Sequence, residues 1–501
     1  MRLSELLARC LACEVAGETD LEIGQIVTDS RKVKKGDLFV ALPGTKHNGH
    51  AFIEEAVRGG ASVIVAEKEA DEKANPIGDT TVVLVKDAYD ALFKLSSHLA
   101  KKPAEKLHLI GITGTNGKTT TAFLVQSLLS TKEKKAGLIG TIHYDFGGVG
   151  DPKTDAQASK ASSQTTPGIL ELQTIFSEME RRGTTHVAME VSSHSLDQRR
   201  TLGLRFDAAV FTNLTQDHLD YHKTMENYYE AKKKLFFQTE GLSVINVDDP
   251  WGMRLKEEAH GQTLCYGIHE HQDIYPTALA INLEGISMAV QTPIGVIEIQ
   301  SALTGQYNVY NILGAIGVGV ASGLSQACIS DRIAAMKSVP GRFEKIDLGQ
   351  DFLVIVDYAH TDDALSRLLQ SVSSLTLGHV ITVVGCGGDR DRGKRPKMGQ
   401  AASLYSRLSI LTSDNPRSES PLAIIKEMEE GLLSQTPIPR YEIIPDRKMA
   451  IARAISLARA GDAVVIAGKG HETHQIIGEK ITHFDDREAA RQALSEQILQ
   501  S

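Results

Sequence analysis

The segment Gly111-Ile112-Thr113-Gly114-Thr115-Asn116-Gly117-Lys118-Thr119-Thr120 limits what this chain can fold into more than any other. The apolar run at 107–112 reads as a buried strand, and residues 120–129 have helical spacing, so the glycines fall at a strand-to-helix turn. Backbone N–H groups of Gly114, Thr115, Asn116, Gly117 and Thr120 can face a phosphate chain there. Lys118 supplies a point charge for the terminal phosphates, Thr119 a hydroxyl for Mg²⁺, and the helix dipole adds to the attraction. The common phosphate-loop pattern requires glycine where Ile112 stands; here the glycines are Gly111 and Gly114, a shifted form that points to a narrower group of ATP users. The plain alternative is a glycine-rich turn without a ligand, and Lys-Thr-Thr opening a helix argues against it.

A chain of 501 residues is too long for one ordinary core, so several domains are expected. Its 42% hydrophobic and 23% charged residues are those of a globular protein. A formal charge of −9 gives no electrostatic reason to bind nucleic acid or an anionic membrane. The N-terminus has no apolar signal core, and apolar runs such as 352–356 and 463–467 are strand length, so no membrane insertion and a cytoplasmic location are expected. Five cysteines, an odd and small number, fit a reducing compartment. Cys10 and Cys13 form a C-x-x-C within the leucine pattern Leu3, Leu6, Leu7, Leu11 of an amphipathic helix; with no second pair, core packing is the favoured reading.

Hydrophobic patterning predicts an α/β protein of three domains: a small N-terminal α/β domain (1–102), a central phosphate-loop domain with a mostly parallel sheet (103–340) and a C-terminal doubly wound, Rossmann-like domain (341–501). Residues 101–106, polar and broken by Pro103, read as a linker. Strands are expected at 186–191, 208–214 and 242–247. A hairpin is expected within 286–299, and four C-terminal strands at 352–357, 379–385, 408–412 and 463–468. Ligands of such sheets bind at strand C-terminal ends. Two of those ends carry metal-capable groups, Glu190 and the segment Thr212 to His222 with His218. Mg²⁺ takes oxygen ligands, so Thr119 with Glu190 makes a first site, whereas His218 is an unusual Mg²⁺ ligand that otherwise serves as a backbone-bonded histidine.

Four segments then occur together and in order: the phosphate loop, Met189-Glu190-Val191-Ser192-Ser193-His194, Asn213-Leu214-Thr215-Gln216-Asp217-His218-Leu219-Asp220-Tyr221-His222, and Val356-Asp357-Tyr358-Ala359-His360. Over residues 26–472 the chain resembles the Mur ligases of peptidoglycan synthesis. The resemblance implies ATP-dependent amide synthesis: ATP phosphorylates the γ-carboxylate of D-glutamate in a UDP-N-acetylmuramoyl dipeptide, and an amine displaces phosphate from the acyl phosphate. Lys118 and Mg²⁺ would answer the charge of the transferring phosphoryl group. In Tyr228-Tyr229-Glu230-Ala231-Lys232-Lys233-Lys234 the resemblance implies a carbamylated lysine, aligned at Lys232, whose anion would hold a second Mg²⁺ with His218 and Glu190. The three adjacent lysines leave the position open by one residue, and by composition alone they read as a solvated basic face. The resemblance also implies Asn308 and Asn311 as partners of adenine, and Arg342, Asp357, Tyr358 and His360 as ATP contacts. For the UDP-sugar peptide it implies Ser30, Thr45, Lys46, His47, Thr165, Thr166, Ser192, Gln198 and Arg200. The chain departs from the family at Asn48, Gly168 and Asp362, where Asp, Glu and Pro are usual.

Asp414-Asn415-Pro416-Arg417 follows an expected strand, and in this family that tetrapeptide marks enzymes adding meso-diaminopimelate. Diaminopimelate carries a second amino-carboxylate head, and Arg417 offers a fork that matches a carboxylate; lysine would leave the guanidinium unpaired, at about 1–3 kcal/mol or more. Arg390, Gly468 and Glu472 complete the expected pocket. The tetrapeptide is also a good turn sequence, and both readings can hold. The rivals are a lysine-adding ligase, a folylpolyglutamate synthase, and a phosphate-loop motor or regulatory module. The tetrapeptide, the segment 28–44 and the lack of a basic surface, in turn, argue against them. A monomer is expected.

Overall fold

Alternating strands and helices place most of the chain in three α/β sheets. The computed structural model describes residues 1–10, 12–44, 48–68, 76–131, 133, 135–148 and 159–498. The first sheet has the order Cys13–Ala16, Thr81–Val85, Val63–Glu67, Leu38–Val40, Ile26–Val27, parallel except for the antiparallel edge strand Cys13–Ala16. The amphipathic helix Leu3–Cys10 buries Leu3, Leu6 and Leu7 against Leu92 and Leu95 of helix Ala88–Leu99 and against Val40, Val65 and Val85. The helix ends before Cys13, which opens a strand and packs on that core instead of continuing the helix. Leu11 lies outside the described residues.

The second sheet is eight-stranded, in the order Gln262–Tyr266, Thr239–Asn246, Phe206–Phe211, His108–Thr113, His186–Glu190, Gly137–Ile139, His143–Asp145, Ser159–Ala161. Its last two pairings are antiparallel, where short polar strands replace the apolar runs of the centre. Residues 101–106 are not a free linker. Lys102 is left-handed (φ 54), Pro103 starts the 3₁₀ turn Pro103–Lys106 and is buried, and Lys106 pairs with Glu180 at 2.6 Å. The hairpin expected around residue 293 is present with Thr292 opposite Gly295, and Tyr275–Ile281 extends it to three antiparallel strands.

The third sheet has the order Glu344–Lys345, Leu353–Asp357, Ala463–Ala467, Val380–Val384, Leu408–Leu411, Tyr441–Ile443. The four expected strands are its centre and are parallel, and two short edge strands add to them. Separate cores cover its two faces, one around Leu365, Leu369, Met398 and Ile425, the other around Ile451, Ile455, Ala490 and Leu494. A two-stranded hairpin, His474–Ile477 with Lys480–His483, follows. By internal contacts the chain divides into two units. The first holds Met1–Gly111, Leu129–Ala209 and Lys234–Gly241, and the second Ile112–Leu128, Val210–Lys233 and Leu242–Ser501.

Candidate active site

In the second unit the phosphate loop is held by its neighbours rather than by its own length. Gly114 (φ 150) and Gly117 (φ 86) adopt backbone conformations that a side chain disfavours. A Cβ on Gly114 would collide with the Thr212 hydroxyl, and one on Gly117 with the Asn311 side chain. The Thr212 hydroxyl donates to Asn116 O at 2.6 Å, while Asn213 Oδ1 accepts from Asn116 N at 3.0 Å and Asn213 O from Thr115 N at 2.9 Å. The helix that follows, Lys118–Leu129, presents its positive end to this loop. Lys118 Nζ donates to Gly114 O at 2.9 Å and to Thr115 O at 2.8 Å, folded over the loop it would share with phosphates. Thr119 and Thr120 are buried, and Arg342 Nη2 donates to Thr119 Oγ1 at 3.1 Å, which brings an arginine from far along the chain onto the first helical turn.

Of the three adjacent lysines only Lys232 turns inward. It is 1% exposed, its Nζ donates to Gly114 O at 2.7 Å and lies 4.6 Å from the Tyr228 ring centre. Burial, then the neighbouring Lys118 charge, holds its amine well below the ordinary lysine range, with Asp217 opposing. Lys233 pairs with Glu230 at 2.6 Å and Glu258 at 3.2 Å, whereas Lys234 is exposed and pairs with Asp197 at 3.0 Å. His218 is left-handed (φ 55), and its Nε2 lies 3.4 Å from Asp217 Oδ2. Burial raises the Asp217 carboxyl, but the charges of His218, His360 and Lys394 outweigh it and hold the group below the usual range. Among the described residues no three His, Cys, Asp or Glu side chains gather as a metal-binding group.

Asn308 and Asn311 are both buried at the start of helix Gln306–Ala321. Asn308 Nδ2 donates to Thr304 O at 2.8 Å, Asn311 Nδ2 donates to Asn308 Oδ1 at 2.9 Å, and Asn311 Oδ1 accepts from Thr121 at 3.4 Å. The pair thus ties this helix to the phosphate-loop helix. Asp357 accepts from Phe343 N at 2.6 Å and Ala359 N at 2.8 Å, and burial raises its carboxyl against the nearby Arg342 charge. The Arg342 guanidinium lies 4.4 Å from the Tyr358 ring centre. Burial pushes the Tyr358 phenol up to about 12. His360 Nδ1 sits 2.9 Å from Tyr358 O, and burial, then the Lys394 charge, lowers this imidazole to about 4.

At the C-terminal sheet, Asp414, Asn415, Pro416 and Arg417 form a turn that the hairpin beyond residue 473 straps in place. Gln475 Nε2 donates to Asp414 O at 2.7 Å, Ile476 N to Asn415 Oδ1 at 3.0 Å and Arg417 N to Ile476 O at 3.1 Å. Arg417 is left-handed (φ 51) and its Nη1 donates to Gly388 O at 2.7 Å. Asn415 Nδ2 donates to Glu472 Oε2 at 2.9 Å. Gly468 (φ 117) is buried, and a Cβ built on it would lie 3.6 Å from Gly385 O and 3.7 Å from Asp414 Oδ2, while Arg390 is exposed.

In the first unit, Thr165, Thr166, Glu190, Ser192, Gln198 and Arg200 come together. Glu190 is buried and accepts from Thr141 N at 2.9 Å and Thr141 Oγ1 at 3.0 Å. Thr165 Oγ1 lies 3.1 Å from Thr141 Oγ1; Thr166 Oγ1 donates to Glu190 O at 2.8 Å and accepts from Ser192 N at 3.0 Å. Arg200 donates to Thr166 O at 3.0 Å and to Gln198 Oε1 at 2.5 Å. Ser30 donates to Glu55 at 2.6 Å. Thr45, Lys46 and His47 lie outside the described residues. The expected metal set is thus divided, with Glu190 in the first unit and Thr119, His218 and Lys232 in the second.

Sequence reasoning missed three residues. Asp363 accepts from Asn116 Nδ2 at 3.1 Å and Thr215 Oγ1 at 3.2 Å, so it holds the phosphate loop from helix Asp362–Leu375. Thr141 holds Glu190, and Lys469 lies fully buried against Asp414, Asn415 and Glu472. Of these only Lys469 had a readable signal, a lysine between two glycines directly after an apolar strand.

Comparison with known proteins covers the whole of this arrangement. Three family profiles match: "Mur ligase family, catalytic domain" over residues 22–98, "Mur ligase middle domain" over 112–319 and "Mur ligase, glutamate ligase domain" over 341–470. A UDP-N-acetylmuramoyl-L-alanyl-D-glutamate--2,6-diaminopimelate ligase of Geobacillus kaustophilus is 44% identical over 504 residues, covering 99% of this chain and 100% of that protein. The ligase of the same name from Gloeobacter violaceus is 44% identical over 503 residues, covering 99% and 98%. A solved structure of such a ligase superposes with a TM-score of 0.67 at 32% identity, covering 99% of both chains. The MurF ligase of Thermotoga maritima in complex with ADP shares the fold at a TM-score of 0.59 and 19% identity, covering 95% of this chain and 98% of that one. With profiles matched from the first sheet to the third and identity sustained along nearly its full length, the chain belongs to the Mur ligase family.

Proposed function

We propose that this chain is an ATP-dependent amide ligase joining meso-diaminopimelate to the γ-carboxylate of D-glutamate in UDP-N-acetylmuramoyl-L-alanyl-D-glutamate, a step of peptidoglycan precursor synthesis. The relatives at 44% identity carry that activity in their names. The observation that carries the reading is the Arg342–Thr119 hydrogen bond, because it brings a residue next to the third sheet onto the helix that follows the phosphate loop. A triphosphate held there meets cations from two distant stretches of chain. In the reaction a γ-carboxylate oxygen attacks the terminal phosphorus and ADP leaves. The amine then attacks the acyl carbon, loses a proton, and phosphate departs. Lys118 and Arg342 answer the phosphoryl charge, and closure of the chain around the nucleotide keeps water from the acyl phosphate. Mg²⁺ would add charge neutralisation and orientation of the phosphates, with the Thr119 hydroxyl and carbamylated Lys232 as ligands in the second unit.

The buried amine of Lys232 fits carbamylation, since only an unprotonated amine adds CO₂ and its surroundings favour that form. For the amino-acid substrate we assign Arg390, Asp414, Asn415, Pro416, Arg417, Gly468 and Glu472. For the UDP-sugar dipeptide we assign Ser30, Thr165, Thr166, Ser192, Gln198 and Arg200. The turn at Asp414–Arg417 offers one arginine fork for a carboxylate and one acid, Glu472, for an ammonium, the pair of groups on the distal head of diaminopimelate. No helix among the described residues is long and apolar enough to cross a membrane.

The test is phosphate release with ATP, Mg²⁺ and the UDP-muramoyl dipeptide, comparing meso-diaminopimelate with lysine. Release that depends on diaminopimelate is expected; equal rates with both amines, or release without either, would refute the reading. Arg417→Ala is expected to raise KM for diaminopimelate roughly tenfold to a hundredfold with folding intact, because the lost bidentate bond is worth about 1.5–3 kcal/mol.

A further inference from the structure

Lys469 is a buried ammonium that the proposed chemistry leaves without a task. It follows strand Ala463–Ala467 directly after Gly468 (φ 117), precedes Gly470 (φ 54) and has 0% exposure. Its Nζ donates to Asp414 Oδ1 at 3.1 Å, to Asn415 Oδ1 at 3.0 Å and to Glu472 Oε2 at 3.4 Å. Three N–H bonds therefore meet three acceptors, all within the segment assigned to the incoming amino acid. Asn415 Nδ2 reaches the same Glu472 oxygen at 2.9 Å, so both donors act on Oε2, and among the described residues no hydrogen bond reaches Oε1. The other buried cation nearby, Arg447, is paired with Asp486 at 2.6 Å. Burial raises the Asp414 carboxyl, but the Lys469 charge, then that of Arg447, holds it below the usual range, so the acid is ionised beside the ammonium.

We propose that Lys469 is a positioning residue that sets amine specificity, by aiming Glu472 and half-neutralising the Asp414–Glu472 pair so that a zwitterionic head is accepted and a lone ammonium is not. This rests on the ligase reading above. Two bare acids would attract the side-chain ammonium of lysine and repel the distal carboxylate of diaminopimelate. With Lys469 between them that attraction is weakened and the repulsion relieved, leaving Arg417 to select the carboxylate. Specificity here is a difference, so a buried group that touches neither amine can still move it.

The experiment measures kcat/KM for meso-diaminopimelate and for L-lysine in the full-length enzyme and in two variants. Lys469→Met is expected to lower the diaminopimelate-to-lysine ratio at least tenfold, with KM for ATP unchanged. Asp414→Asn removes an acid and is expected to raise the ratio. A parallel loss for both amines in Lys469→Met, as a merely structural role would give, overturns the proposal. Should Lys469→Met fail to fold, Asp414→Asn decides: a ratio that stays level or falls overturns it. An unmodified enzyme that uses neither amine refutes the ligase reading itself, whereas one that prefers diaminopimelate while the variants leave its ratio unmoved refutes only the role of Lys469.

Discussion

Lys232 shows how burial changes what a side chain can do. Three lysines stand in a row, yet only the one whose Nζ reaches Gly114 O is fully buried, and an ammonium out of water is disfavoured. Enzyme equilibrated with ¹³C-bicarbonate is expected to show a carbamate carbon resonance that Lys232→Ala lacks; a spectrum without it in the unmodified protein would remove carbamylation from the site. Lys118→Ala is expected to abolish turnover while the fold survives, because the loop carbonyls its Nζ bonds can be met by water instead; retained turnover would refute its phosphate role. His360 carries a pH prediction. Its imidazole is held at about 4, chiefly by burial, against about 6.5 unfolded. Between those values the unfolded chain binds the extra proton, so the contribution of neutral His360 to stability is present above pH ~6.5 and is lost as pH falls toward ~4. The drop in urea midpoint from pH 7 to pH 5 is expected to be smaller in His360→Gln than in the unmodified protein.

At the scale of elements, the phosphate loop is a junction of several segments, and its glycines are required by neighbours distant in sequence. Gly114 has its positive φ and also abuts the Thr212 hydroxyl, which in turn bonds Asn116 O at 2.6 Å. Gly114→Ala is expected to cost about 1–3 kcal/mol of stability and most nucleotide binding. Removing the obstructing hydroxyl in Gly114→Ala/Thr212→Ala is expected to recover part of the stability but not the binding, since the backbone strain stays; thermal melts with and without ADP separate the two. The helix Gln306–Ala321 joins the same junction through Asn311, so its two buried amides have a structural task whatever lies beside them.

For the molecule as a whole, the third sheet is closed by a buried ion pair. Arg447, at the start of helix Arg447–Leu457, bonds both carboxylate oxygens of Asp486, at 2.7 and 2.6 Å, and also Ala467 O at 3.0 Å. Asp486 opens the last helix, Asp486–Ile498, so the pair ties that helix to the sheet and to the segment carrying Lys469. Breaking one partner leaves a charge buried and unpaired, and Asp486→Asn is expected to cost about 3–5 kcal/mol in urea unfolding. Arg447→Met/Asp486→Leu is expected to cost much less than the sum of the single changes, which a double-mutant cycle reads directly.

Local patterning carried the central strands, the phosphate loop, the hairpin about Thr292 and the turn at Asp414–Arg417, because each depends on residues adjacent in the chain. It did not carry the edge strands Glu344–Lys345 and Tyr441–Ile443, too short for any period to register, nor Tyr275–Ile281, whose Pro276 and exposed positions read as loop. Nor could it say which of three lysines is buried, that Asn308 and Asn311 satisfy one another, or that Lys469 meets Asp414, Asn415 and Glu472. Residue type and spacing determine which chemistry is available and which elements form. Burial and pairing depend on segments up to 247 positions apart, as with Asn116 and Asp363, and these meet only once the chain has packed.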